Sequence, residues 1–118
     1  MAGKDIGMTL FEALFLGHLV GDFLFQTRWM ADNKKRKILP RLVHSMVYTL
    51  AVYVFSWLAG GIRPLAAAII LISHFIIDQR SFTSWWTKTI NRTTDVPWLN
   101  IVIDQVFHLL VLAAVVYL

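Results

Sequence analysis

Cysteine is absent from the chain, which excludes disulfides, thiolate metal sites and cysteine nucleophiles. Any metal held here must be held by histidine nitrogen and carboxylate oxygen. Charge is scarce as well. Asp, Glu, Lys and Arg together make up 15% of the 118 residues, and only seven of them are acids. The three prolines, Pro40, Pro64 and Pro97, lie near the ends of apolar segments, so no long apolar run is broken from within. No cleavable signal peptide is expected, because a small-residue cleavage pattern is missing and Glu12 interrupts the first apolar run.

What the chain has in excess is apolar surface. Hydrophobic residues reach 58%, against ~45–50% in soluble domains by a count that even includes glycine. A single soluble core of this size does not need so much, so the excess must face a bilayer. The chain is therefore read as an all-α membrane protein, one domain over residues 1–118, with four transmembrane helices in a bundle.

The spans fall at approximately 9–30, 38–59, 64–79 and 98–118. Residues 1–8 read as a polar, frayed start. At a rise of ~1.5 Å per residue the first span covers a ~30 Å hydrocarbon layer. Gly17 and Gly21 on it form a notch that admits a second helix closely, and the same face would suit pairing with another copy of the chain. Glu12, near its outer end, reads as an interfacial residue. Gly60-Gly61 make a turn, and Pro64 suits a first helical position. Residues 80–97 form the longest connection. They carry Trp85 and Trp86 beside Arg80, Lys88 and Arg92, which predicts a short helix lying on the membrane between the third and fourth spans.

The cations set the topology. Arg28, Lys34, Lys35, Arg36, Lys37, Arg41, Arg80, Lys88 and Arg92 all fall on one side of a four-span chain, whereas the other side has Lys4 and Arg63. The positive-inside rule places the basic side in the cytoplasm and both termini outside. Beside a span, the run from Lys34 to Lys37 is expected to set topology and touch anionic lipid rather than nucleic acid.

Within this frame one spacing recurs. His18 and Asp22, His74 and Asp78, and Asp104 and His108 are each four residues apart, one above the other on a helix face. The third pair is reversed in sequence, but its span runs in the opposite direction. All three pairs thus present histidine nearer the midplane and aspartate nearer the cytoplasm. His44, one to two turns into the second span, reaches the same layer, so all four spans contribute.

Burying three carboxylates in a membrane costs several kcal/mol each unless they are paired. A divalent cation neutralises them and orders the imidazoles. His18, Asp22, His44, His74, Asp78, Asp104 and His108 are the candidate ligands. Mixed imidazole and carboxylate donors suit zinc first, with manganese or iron(II) as alternatives. Seven groups exceed the needs of one zinc ion, so one or two ions are expected, two being bridged by carboxylate. Asp22, Asp78 and Asp104 are the candidate catalytic residues, one of them remaining off the metal as general base. Gln26, Gln79, Gln105 and Ser45 are candidates to orient these groups or to touch substrate.

The expected function is a metal-dependent hydrolase acting at the cytoplasmic face. Its partners would be the lipid bilayer and an anionic lipid or phosphorylated small molecule, the latter held by loop lysines and arginines. Alternatives are a metal or proton transporter or sensor using the same layer, and a structural subunit stapled by metal. A His–Asp hydrogen-bond network without metal, or haem ligation, would use the same residues, although haem has no need of neighbouring carboxylates.

The run His-Leu-Val-Gly-Asp-Phe-Leu-Phe-Gln at 18–26, His44, His-Phe-Ile-Ile-Asp at 74–78 and Asp-Gln-Val-Phe-His at 104–108 resemble the small bacterial membrane proteins called domain of unknown function 3307. The resemblance covers nearly the whole chain and implies a bacterial inner-membrane location, in which the termini that the cations place outside are periplasmic. More distantly, His44-Ser45 and the His-xxx-Asp spans are similar to inner-membrane proteins described as metal-dependent hydrolases. Val43 stands where that group has threonine.

Overall fold

The computed structural model describes residues 7–118, the side chain of Arg80 excepted. The start of the chain through residue 6, with Lys4, lies outside the described residues. Among those described there are six α-helices and no strand.

Helix α1, Leu10–Leu19, begins with a reciprocal cap. Thr9 N donates to Glu12 Oε1 at 2.7 Å and Glu12 N donates to Thr9 Oγ1 at 3.1 Å. Glu12 thus closes a helix start by satisfying an otherwise orphaned donor. Past Leu19 the helix widens into a π turn, Val20–Leu24, in which Phe25 N bonds Val20 O at 3.0 Å. It then stops. Thr27 turns its hydroxyl toward Met30 N at 3.3 Å and caps a new helix, α2, Arg28–Asn33. A threonine that caps the backbone ahead of it competes with continuation of the helix behind it. The unbroken span expected over 9–30 is therefore a helix of 10 residues, a π turn of five, and a break. In the connection expected between the first and second spans, 31–33 are helical too, as the end of α2.

Helix α3, Ile38–Ser56, ends in a 3-10 turn, Trp57–Ala59. Gly60 and Gly61 then reverse the chain with φ of 99° and 85°, values that side chains rarely tolerate. Helix α4, Pro64–Ile77, starts on its proline as expected. Helix α5, Arg80–Trp86, continues as a π turn, Thr87–Asn91, and supplies the helix expected between the third and fourth spans. Helix α6, Pro97–Val115, is the last.

Two helices, Ile38–Ala59 and Pro97–Val115, are long and apolar enough to cross a membrane. A third candidate is the pair Pro64–Ile77 and Ser81–Asn91, bent by 63°. Only 28% of each long apolar stretch is buried inside the protein. Leu24, Ile38, Leu50 and Trp98 are between 62% and 76% exposed. Meanwhile His18, Asp22, His44, Ser45, His74, Asp78 and His108 are buried. Apolar outside and ionisable inside inverts the soluble pattern and suits association with a membrane.

Helix α1 packs on α3, α3 on α4, α4 on α6, and α6 back on α1. The glycine notch is used inside the chain. A Cβ at Gly17 would meet Val52 Cα at 2.7 Å, and one at Gly21 would meet Tyr48 Cα at 2.9 Å. The face suggested for pairing with a second copy is therefore already covered by α3. The interior is graded along its length. Leu14, Val52, Ile70 and Leu112 fill one end as an apolar cluster. The histidines come next, and the aspartates lie beyond them.

Candidate metal centre

The buried face of α3 repeats every three or four residues through Arg41, His44, Ser45, Tyr48, Val52 and Ser56. That spacing is one helix stripe, so His44 and Tyr48 necessarily point into the bundle together. Helix α4 presents Ile70, His74 and Ile77 in the same way, with Asp78 as its C-cap. Helix α6 presents Asp104, His108 and Leu112. Helix α1 presents Leu14 and His18, and its π turn carries Asp22 inward.

The close contacts run between helices rather than within them. The three i,i+4 pairs are 3.8 to 3.9 Å apart. Across helices, His44 Nε2 donates to Asp22 Oδ1 at 2.9 Å and lies 3.3 Å from Asp78 Oδ2. His74 Nε2 donates to the same Asp22 oxygen at 3.3 Å. His108 Nε2 is 3.6 Å from Asp78 Oδ1. The imidazoles of His44 and His74, and of His74 and His108, have centroids 4.9 and 4.6 Å apart. Four helices thus bring their polar groups to one level.

Two sets offer three ligand atoms within 4.8 Å of one another: Asp22, His44 and His74, and His74, Asp78 and His108. They share His74. Five of the seven expected ligands therefore converge, and the other two have different surroundings. His18 uses both ring nitrogens: Nε2 donates to Gln105 Oε1 at 2.7 Å, which leaves Nδ1 to accept from the Tyr48 hydroxyl at 2.8 Å. Asp104 stands at the margin, with Lys35 Nζ at 3.6 Å and the Thr83 hydroxyl at 3.4 Å.

The supporting polar residues divide similarly. Gln105 Nε2 donates to Asp22 Oδ2 at 3.1 Å, which completes a relay from Tyr48 through His18 and Gln105 to Asp22. The Ser45 hydroxyl meets His74 Nδ1 at 3.0 Å. A hydroxyl can donate or accept there, so it supports either tautomer of His74. Gln26 Nε2 bonds the Asp22 carbonyl at 3.1 Å. Gln79, although next to Asp78, is exposed and precedes α5, turned away from the cluster.

The donor set passes one test of fit. His108 Nδ1–H donates to the Asp104 backbone carbonyl at 2.7 Å. In the neutral imidazole its Nε2 is then a lone pair, and that lone pair faces the Asp78 carboxylate at 3.6 Å. Among the described residues, His108 Nε2 and both oxygens of Asp78 are buried without hydrogen-bond partners, although Lys34 Nζ makes an ion pair with Asp78 Oδ2 at 3.1 Å. Two acceptors that face each other in a dry interior repel unless a cation or proton lies between them. A divalent ion suits that pair of acceptors.

Sequence reasoning missed the inward placement of four residues. Tyr48 is buried, bonds His18, and stacks on His74 with centroids 3.9 Å apart. Its signal was available, since it follows His44 by one turn on the same stripe. Lys34 and Lys35 are expected to set topology and to touch anionic lipid or substrate; their reach to the cluster is additional, with Lys34 Nζ 3.1 Å from Asp78 Oδ2 and 3.5 Å from His44 Nε2, and Lys35 Nζ 3.6 Å from Asp104. Arg41 also turns inward, its guanidinium 4.3 Å from the centre of the Phe75 ring. No pattern in the basic run distinguishes these cations from their exposed neighbours Arg36 and Lys37.

A half-open cavity of about 350 Å³ lies at the aspartate end, lined by Asp22 and Asp104 on the side of the cluster. The family model described as "Protein of unknown function (DUF3307)" matches residues 10–118. No curated protein and no solved structure matches the chain.

Proposed function

The chain belongs to the DUF3307 family, whose description states no activity, so from the residues themselves we propose a membrane-embedded divalent-metal protein acting as a hydrolase. In this reading the substrate is a phosphorylated or lipid molecule that reaches the site from the cytoplasmic face. In the same reading α1 with its π turn and α4 join α3 and α6 as four crossings of a bacterial inner membrane, with α5 lying between the last two and both termini periplasmic. The grouping of Lys34, Lys35, Arg36 and Lys37 at the aspartate end supports that orientation.

The observation that carries the metal is His108 Nε2 facing Asp78 Oδ1 at 3.6 Å, with neither atom hydrogen-bonded among the described residues. Asp22, His44, His74, Asp78 and His108 would hold the ion. Because both ligand sets need His74, five donors suit one ion better than two. Zinc fits them, and manganese or iron(II) would also be accepted. When bound, the ion supplies a Lewis acid and lowers the pKa of a coordinated water toward neutrality. Asp104, beside the cavity and outside both ligand sets, takes the proton of an attacking water at its carboxylate. The relay through Gln105 holds Asp22 in orientation.

Elemental analysis of the detergent-purified protein tests this. About one equivalent of metal is expected in the wild type, and none in His74→Ala or Asp78→Ala. Metal retained by both variants would refute the centre. A metal-free wild type would leave a second reading, a hydrogen-bond and ion-pair network neutralised by protein cations. The Lys34 ammonium 3.1 Å from Asp78 favours that reading.

A further inference from the structure

The cavity at the aspartate end has a composition of its own. Lys34 and Lys35 line it from the connection ahead of α3, Thr83 from α5, and Phe23 and Ile101 from the π turn and α6. Lys35 Nζ is buried and has no hydrogen-bond partner among the described residues. Its nearest carboxylate oxygens are at 3.6 Å, on Asp104, and at 4.0 Å, on Asp78. A buried ammonium with unsatisfied N–H groups is a donor that lacks its acceptor.

Charge indicates the sign of that acceptor. Asp22, Asp78 and Asp104 carry three negative charges, and Lys34 and Lys35 carry two positive ones, so the bare cluster sums to −1. One divalent ion makes the sum +1. With Asp78 neutralised by the ion, the Lys34 ammonium is released from it, and Lys35, which stays 3.6 Å from Asp104, still has N–H groups free for the cavity. A phosphate monoester, with several strong acceptor oxygens and more than one negative charge, matches these ammoniums beside a metal.

The wall indicates what carries the phosphate. Phe23 and Ile101 line the same cavity, yet they are 55% and 62% exposed. In a bilayer such residues contact acyl chains, so the cavity is bounded on that side by lipid. A ligand with a polar head in the cavity and an apolar tail against Phe23 and Ile101 satisfies both surfaces.

We propose that this cavity binds the phosphate monoester head of a membrane lipid, with the Lys34 and Lys35 ammoniums as its ligands. The inference rests on the metal reading above, because without the ion Lys34 is held by Asp78.

Native mass spectrometry of the detergent-solubilised protein reads bound metal and bound lipid in one spectrum. Dioleoyl phosphatidate, dioleoyl phosphatidylcholine and glycerol 3-phosphate are the probes. Wild-type protein should carry the metal mass and bind phosphatidate at least about tenfold more tightly than either other probe. Lys35→Gln and Lys34→Met/Lys35→Met should keep the metal mass, which shows that they fold. They should lose phosphatidate affinity by about 10- to 100-fold, as for a lost charge-assisted hydrogen bond or two. Unchanged phosphatidate binding in both variants overturns the proposal. So does equal binding of phosphatidylcholine, which would indicate surface lipid only, or equal binding of glycerol 3-phosphate, which would indicate a soluble ligand. Metal without phosphatidate in the wild type refutes this inference alone, whereas no metal in the wild type refutes the reading beneath it as well.

Discussion

Replacing Gly17 by alanine should loosen the α1–α3 pair and, through it, the site. The added Cβ would stand 2.7 Å from Val52 Cα, 3.0 Å from Ala51 O and 3.1 Å from Phe55 Cβ. The first two are backbone atoms of a neighbouring helix, which cannot rotate aside as a side chain can. Carbon atoms reach favourable contact at ~3.5–4.0 Å, so α1 must withdraw by about 1 Å at this point. Overpacking of this kind costs about 1–3 kcal/mol. The withdrawal also acts on the next residue, His18, whose 2.8 Å bond to Tyr48 joins the same two helices. Thermal or denaturant unfolding in mixed micelles, followed by circular dichroism, reads the loss of stability. Leu16→Ala serves as the control, because Leu16 is 38% exposed and faces away from α3. Metal content, read in parallel, should fall in Gly17→Ala. A Gly17→Ala protein within about 0.5 kcal/mol of wild type, the range of an ordinary surface change, would refute the close packing of α1 on α3.

Tyr48→Phe removes the hydroxyl that His18 Nδ1 accepts from but leaves the ring stacked on His74. The buried acceptor left behind should cost about 1–3 kcal/mol in unfolding experiments, with metal content unchanged; loss of the metal would make Tyr48 part of its binding. Lys34→Met removes an ammonium 3.1 Å from Asp78 that competes with a divalent ion for that carboxylate. Competition against a chelating dye should show metal bound roughly tenfold more tightly, and weaker binding would mean that Lys34 supports the centre rather than opposing it.

Much of the architecture was legible because its causes are local. Apolar runs over 38–59, 64–79 and 98–118 became helices within a few residues of the expected ends. Gly60-Gly61 and Pro64 punctuate the chain where their backbone preferences require it. The i,i+4 spacing was enough to put histidine and aspartate on one face of each helix. The exception was the first span. Its apolar composition continues past Leu24, but the Thr27 cap and the π turn end the helix, and neither changes the hydropathy pattern.

The partition of the site was less legible. His18 and His74 occupy equivalent positions in equivalent motifs, yet His18 is consumed by Tyr48 and Gln105 whereas His74 joins both ligand sets. Gln79 and Gln105 both follow an aspartate, and only Gln105 reaches the cluster, because α6 continues past it while α4 ends at Ile77.

The sequence by itself determined the materials: no thiol, a surplus of apolar surface, and histidines and carboxylates spaced to share helix faces. These follow from composition and from the period of the α-helix, which operate within a few residues. Only the tertiary structure decided which groups meet. Distances such as the 2.9 Å from His44 to Asp22, or the 3.1 Å from Lys34 to Asp78, depend on how each helix is rotated against the next. They depend also on where a long, flexible lysine finds its counter-charge. Those choices are set by packing across the bundle, between residues that are far apart in the chain.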